Sequence, residues 1–207
     1  KITEAAAEAI RTDRGSIWLF SEDLDGLECV DLFENHSARH SAGAVLKAAD
    51  YPRYFEAIKK FNRINAPDAR SHPHTAEFRE SYLEPLGIVS MLDAGITIEG
   101  ELKGVVCFEC IREKMDWHAD DESFSSTIAS IVSQILINDK RRRAELAIEK
   151  SLREKEVLLR EVYHRTKNTL QVIGGLIILQ ADEFQAIPEV ATLVNNTENR
   201  IQAISLV

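Results

Sequence analysis

The residues best placed to do chemistry lie in the run Glu161-Val-Tyr-His-Arg-Thr-Lys-Asn-Thr-Leu-Gln-Val-Ile173. Read as a helix, Val162, Thr166, Thr169, Ile173 and Leu176 step by four, three, four and three, which defines a seam facing partner helices. His164 stands two residues from both Val162 and Thr166, roughly 200° around the helix from either, so its ring is expected to face water. Lys167 and Asn168, three and four residues further on, share its face. An imidazole presented in this way is a nucleophile that an incoming phosphoryl group can reach. Attack requires the neutral ring, and Arg165 and Lys167 supply positive charge for the phosphoryl oxygens. Glu161, three residues earlier, is the candidate to hold the ring tautomer or accept its proton. Such a transfer rests on positioning and charge neutralisation, with Mg²⁺ expected on the nucleotide side.

Other chemistry-bearing groups read more plainly. Cys107-Phe-Glu-Cys110 has CxxC spacing, but on a strand an odd separation puts the two thiols on opposite faces, one in the core and one at the surface. His36, His40, His72 and His74, with Asp50 and Asp68, read as solvated loop residues rather than a metal site. Trp18 and Trp117 read as packing residues, either of which can border a sensory pocket.

The elements that must position these residues fall into two regimes. Up to about residue 118, strand-like and helix-like segments alternate. A helix runs from Ile2 to about Ile10, and Ser16 to Phe20 pairs with Leu27 to Phe33 through an Asp-Gly turn at Asp23–Gly26. A helix capped by Asp50, with Pro52 in its first turn, buries Tyr54, Phe55 and Ile58. After a loop from Asp68 to Thr75, a short helix passes through Phe78 and Tyr82 and stops at Pro85-Leu-Gly87. Val89 to Ile98 and Glu101 to Ile111 form a second hairpin about Glu99-Gly100. The sum is an α+β domain, a mostly antiparallel sheet with flanking helices.

From about Ala119 the pattern is continuous helix. Asp120, Asp121 and Glu122 complement the positive end of its dipole, and Phe124, Ile128, Ile131 and Ile135 form an inward stripe that Leu152, Leu159 and Val162 extend. Lys140 to Arg143 are four consecutive cations, which suit a solvated coiled-coil linker. Gly174 and Gly175 weaken the helix locally without ending it. A turn is expected at Gln185 to Pro188, then a second helix from Glu189 to Val207 with Val190, Leu193, Ile201 and Ile204 inward. The division expected is 1–138 for the α+β domain, 139–157 for the linker and 158–207 for a two-helix hairpin.

Charge separates the two regimes as well. The chain carries -9 overall; residues 1–139 hold 14 Lys and Arg against 25 Asp and Glu, a balance of -11, whereas residues 140–207 hold 11 against 9, a balance of +2. An acidic chain without a clustered cationic face is no nucleic-acid binder. No apolar run reaches the ~18 residues of a membrane span, no leader is evident, and three cysteines make no disulfide framework, so a cytoplasmic setting is expected.

His164-Arg-x-Lys-Asn168 followed by Leu170-Gln-Val-Ile173 resembles the phosphoacceptor helix of the HWE-related sensor histidine kinases, whose pattern is close to Glu-Val-His-His-Arg-Val-Lys-Asn-Asn-Leu-Gln-Val-Ile. The likeness continues through Leu179-Gln180 and Asn199-Arg-Ile201 and covers residues from about Leu158 to Val207. Tyr163 replaces the first His of the family's pair, and Thr169 a common Asn. Residues 1–138 resemble a GAF domain, on the order of elements and on Ser16-Ile-Trp-Leu-Phe20, Gly87-Ile-Val-Ser-Met-Leu-Asp93 and Gly104-Val-Val-Cys-Phe-Glu109. Neither the Asn-Lys-x-Phe signature of cyclic-nucleotide binders nor a bilin-attaching Cys-His pair is present, so a GAF ligand is unassigned.

The resemblance implies a sensor histidine kinase of a two-component system. In it the GAF domain controls ATP-dependent phosphorylation of His164, and the phosphoryl group passes to an aspartate of a response-regulator receiver domain. ATP and Mg²⁺ would belong to a nucleotide-binding domain expected beyond Val207, since no glycine-rich phosphate loop occurs, and these 207 residues are not expected to phosphorylate themselves. A two-helix hairpin leaves an apolar seam exposed, so a homodimer with a four-helix bundle is expected. The alternatives are a phosphotransfer or scaffold protein without kinase activity and a dimeric ligand-binding regulator.

Overall fold

The computed structural model describes residues 2–21, 23, 25–182 and 188–205. Two compact units divide at Lys140/Arg141, within one helix.

The first unit is built on an antiparallel sheet. In chain order its elements are α1 (Ile2–Ile10), β1 (Arg14–Phe20), β2 (Gly26–Glu34), β3 (Arg39–Ser41), β4 (Val45–Lys47), α2 (Pro52–Phe61) and β5 (Arg63–Ala66). A one-turn 3₁₀ segment (Ala76–Phe78), a π-helical turn (Arg79–Leu83) and α3 (Glu84–Leu86) follow, then β6 (Ile88–Ile98), β7 (Glu101–Ile111) and the start of α4 (Ala119–Ala181). The strand order is β3-β2-β1-β7-β6-β5, with β4 also pairing β2. Both expected hairpins form. At the second, Glu99 (φ 53°) and Gly100 (φ 83°) take the consecutive left-handed conformations that match the twist of the flanking strands.

The sheet is covered on both faces, which explains why β6 and β7 are buried almost continuously rather than alternately. One core gathers Tyr54, Phe55 and Ile58 of α2 with Phe78, Leu83, Met91, Val105 and Cys107. The other gathers Ala6 and Ile10 of α1 with Val106, Phe108, Trp117, Ala129 and Val132. Cys107 and Cys110 do fall on opposite faces, as their spacing requires, and both are free thiols. Cys110 is nevertheless buried, because α1 and α4 cover the face expected to meet water.

Three details depart from the expectations. Asp50 does not cap α2. Tyr51 occupies the cap position, and the carboxylate of Glu77 accepts from the amides of Arg53 and Tyr54 at 2.9 and 3.3 Å, so a residue distant in sequence satisfies the helix start. Ile131 and Ile135 are exposed. Ser125, Ala129, Val132 and Ser133 are the buried positions instead, Ala129 and Val132 sharing a core with Val106 and Phe108. The segment through Phe78 and Tyr82 is not one helix but a 3₁₀, π and α succession ending at Gly87 (φ 74°).

The second unit, Arg141–Val207, contains the rest of α4 and α5 (Pro188–Ser205). The turn expected at Gln185–Pro188 falls outside the described residues apart from Pro188, which opens α5. Lys167, Leu170, Gly174 and Ile177 of α4 and Val194, Thr197 and Ile201 of α5 are half-buried. A methyl on Gly174 would lie 3.8 Å from the Ile201 side chain, so the two helices pack there. Leu193, expected inward, is 68% exposed. Its neighbour Val194 and Thr197 hold the packed face, and the side chains of Val190 and Ile204 lie outside the described residues. No helix among the described residues is long and apolar enough to cross a membrane.

The β1–β7 pairing tolerates no side chain at Gly104, whose Cβ would sit 2.2 Å from the Trp18 carbonyl oxygen. Gly104→Ala is expected to destabilise the first unit by about 3 kcal/mol. Gly175→Ala, with nothing within 4 Å, is expected to stabilise the second unit by about 0.5–1 kcal/mol. Urea unfolding of both variants checks the contrast.

Candidate functional site

The site is built on the helical run that follows Glu161, in which every amide is held by the helix and the side chains alone decide what is presented. His164 is exposed. Val162, Ile173 and Leu176 are 59, 43 and 56% exposed, forming an apolar strip distinct from the face that packs on α5. His164 belongs to neither face. Counted along the helix it is about 200° from the Val162 strip and about 100° from the Leu170–Gly174 face.

The neighbours of His164 divide in role. Arg165 Nε donates to Glu161 Oε1 at 2.7 Å, an exposed pair four residues apart. Glu161 is therefore engaged by Arg165, and its carboxylate has no hydrogen bond to the imidazole. Lys167 is half-buried, whereas Asn168 is exposed. Thr166 and Thr169 donate to the carbonyls of Val162 and Arg165, at 2.9 Å each, so both hydroxyls are used within the helix. The arrangement presents one imidazole to solvent with an Arg and a Lys within one turn.

No described group of three or more His, Cys, Asp or Glu side chains gathers so as to hold a metal ion. His72 and His74 do meet, their rings 5.4 Å apart, and burial followed by the charge of His74 lowers the pKa of His72. His40 bonds Asp31 at 2.9 Å and faces Glu4 at 3.7 Å, tying β3 to β2 and α1. Trp18 lines a small cavity in the first core, while Trp117 packs in the second.

The sequence reading missed a buried ionisable cluster in the first unit. Arg14 of β1 pairs with Glu109 of β7 at 3.3 Å and approaches Glu34 of β2 at 3.8 Å; Asp93 of β6 accepts from the Tyr54 hydroxyl at 2.7 Å. Asp93 and Glu109 are 0 and 1% exposed. Burial raises both carboxyls, that of Asp93 to about 7. Burial pulls the Arg14 guanidinium down, but the negative charges around it, Glu109 first and then Tyr82, Cys107 and Glu34, together outweigh this and leave it raised. The signal was an acid inside each of two otherwise apolar runs, Ser90-Met-Leu-Asp-Ala94 and Gly104-Val-Val-Cys-Phe-Glu-Cys110.

The family described as GAF domain matches residues 1–136, and the family described as histidine kinase matches residues 161–207. The chain belongs to the GAF family and carries, after that domain, the region of HWE-type histidine kinases that holds His164. Among solved structures, the chain is similar to the GAF domain of an Acinetobacter phosphoenolpyruvate-protein phosphotransferase, with 16% identity, TM-score 0.53, and coverage of 69% of this chain and 82% of that one. It is also similar to the blue-light-absorbing form of the Thermosynechococcus elongatus PixJ GAF domain, with 14% identity, TM-score 0.54, and coverage of 69% and 87%. A domain assigned to a two-component sensor histidine kinase of Sinorhizobium meliloti 1021 shares 21% identity at a TM-score of 0.51, over 72% of this chain and 92% of that one. These likenesses concern the fold. No curated protein matches the chain.

The Glu161–Arg165 pair is exposed, 56 and 79% at its side chains, so it contributes little to folding. Arg165→Ala is expected to change the unfolding free energy by less than about 0.5 kcal/mol, measured by urea denaturation.

Proposed function

We propose that the chain is the sensory and phosphoacceptor portion of a two-component sensor histidine kinase, in which the GAF domain governs phosphorylation of His164. The observation that carries this reading is a solvent-facing imidazole, on the matched histidine kinase region, flanked by Arg165 and Lys167. The neutral ring attacks the γ-phosphorus of ATP, the N–P bond forms as the bond to ADP breaks, and the ring proton passes to solvent or a base. Arg165 and Lys167 offset the phosphoryl charge, and Asn168 supplies a neutral amide on the same face. Glu161, tied to Arg165, acts in this reading by positioning that guanidinium. The phosphoryl group then moves to a receiver-domain aspartate of a response regulator.

In this reading ATP and Mg²⁺ are supplied by a nucleotide-binding domain acting on this unit. The exposed strip of Val162, Ile173 and Leu176, with Leu159 and Leu179 exposed at 69 and 71%, supports a second copy as the partner, its hairpin completing a four-helix bundle. A small-molecule ligand of the GAF domain remains open in chemistry. The three free thiols support a reducing, cytoplasmic compartment.

With ATP·Mg²⁺ and a histidine kinase catalytic domain added in trans, acid-labile, base-stable phosphate is expected on His164, mapped by mass spectrometry at neutral pH, and absent from His164→Gln. Phosphate on another histidine, or retained in the variant, contradicts the reading. Sedimentation is expected to give twice the 23.3 kDa chain mass, with Ile173→Glu plus Leu176→Glu shifting the population to monomer.

A further inference from the structure

The first core encloses a cavity of about 10 Å³ lined by Trp18, Tyr54, Phe78, Tyr82, Cys107 and Glu109, among others. A space of that size holds roughly one water molecule and no organic ligand. Its lining is mostly apolar, but Glu109 reaches it, and Asp93 lies buried nearby across the strand from Cys107. Oδ1 of Asp93 and Oε1 of Glu109 have no hydrogen-bond partner among the described residues, and Oε2 of Glu109 faces the Arg14 guanidinium at 3.3 Å. The occupant that such acids can take without any further volume is a proton.

The charge count at the cluster favours it. Asp93 faces the Tyr54 hydroxyl from α2 and the thiol of Cys107, its cross-strand neighbour on β7. Beyond them lie Glu109 on the same strand, Arg14 on β1, Glu34 on β2 and Tyr82 on the π-helical turn. Three carboxyl groups therefore share one cation. Strand register gives that cation to two of them, since Arg14 stands directly opposite Glu34 on one side and Glu109 on the other. Glu34 is 34% exposed and keeps its water; Asp93 is sealed and no described cation pairs with it. A sealed, unpaired carboxylate beside a second carboxylate is costly in its charged form.

We infer that the GAF domain carries a pH-sensitive switch, the Asp93–Glu109 cluster taking up and releasing one proton through Asp93. The step is a simple protonation in which a proton from bulk water binds a carboxylate oxygen and one negative charge disappears from the core. The strand conveys the consequence. Cys107 and Glu109 face the cluster, and Phe108 between them crosses to the opposite face, where its ring meets Phe124 of α4 at 6.2 Å. A change in the cluster thus bears on the helix that continues into the histidine-bearing unit. That last link rests on the function proposed above, whereas proton uptake does not.

Burial lifts Asp93 from 3.8 to about 7, so its protonated form favours folding at low pH, and this contribution is lost as pH rises toward 7. Measured by urea unfolding of the whole chain, the folding constant of the native protein relative to Asp93→Asn is expected to be flat below pH ~4, to fall about tenfold per pH unit between pH ~4 and ~7, and then to level off. Infrared titration of the native chain is expected to show a protonated-carboxyl band vanishing near pH 7, a midpoint that Glu109→Gln moves downward by removing a neighbouring negative charge. A pH-independent ratio, or a native chain without that band at pH ~6, overturns the inference. His164 phosphorylation that is pH-insensitive while the titration holds would break only the link to α4.

Discussion

Burial of one face of α4 in the second core is the constraint on which the first unit depends. Ser125, Ala129, Val132 and Ser133 form the contact face, and the Ser125 and Ser133 hydroxyls donate to helix carbonyls at 2.9 Å, so neither is left unsatisfied in the interface. Larger residues there would hold the helix off Val106 and Phe108 and open the second core. With the start of α4 fixed against β7 in this way, the strand that carries Cys107 and Glu109 toward one core also supports, through Phe108, the helix on the other.

The histidine-bearing unit obeys a different economy. Its α4 segment has two apolar strips, and only the one around Leu170, Gly174 and Ile177 meets α5. The other, through Val162, Ile173 and Leu176, stays in water within a single chain. An imidazole outside both strips keeps its access whether or not the second strip is covered. Separation of the α5-packing face, the exposed apolar strip and the face of His164 around one helix is what leaves the imidazole open to solvent.

Much of this was legible in the sequence. The two hairpins, α2 with its Pro52, the onset of α4 and the outward position of His164 followed from period, turn residues and spacing. β3, β4 and β5, of three, three and four residues, were not legible, because edge strands that short show no alternation and owe their form to pairing with β2 and β6. The cap from Glu77 and the small-residue face of α4 are tertiary choices; isoleucine spacing pointed to Ile131 and Ile135, yet shape complementarity selected alanine and serine. The ionisable cluster was missed because each acid was read as part of a strand, although Asp93 and Glu109 interrupt apolar runs buried on both faces.

The claim that His164 faces water, away from every packing strip, is open to a direct chemical measurement. Carbethoxylation rates of the six histidines, followed residue by residue by mass spectrometry, supply internal standards, with half-buried His72 at the slow end. The structure predicts that His164 reacts as fast as a fully exposed imidazole, at a rate unchanged when Ile173→Glu plus Leu176→Glu disrupts association. Protection of His164 in the associated protein, relieved on dissociation, would place the ring in the seam and contradict the account.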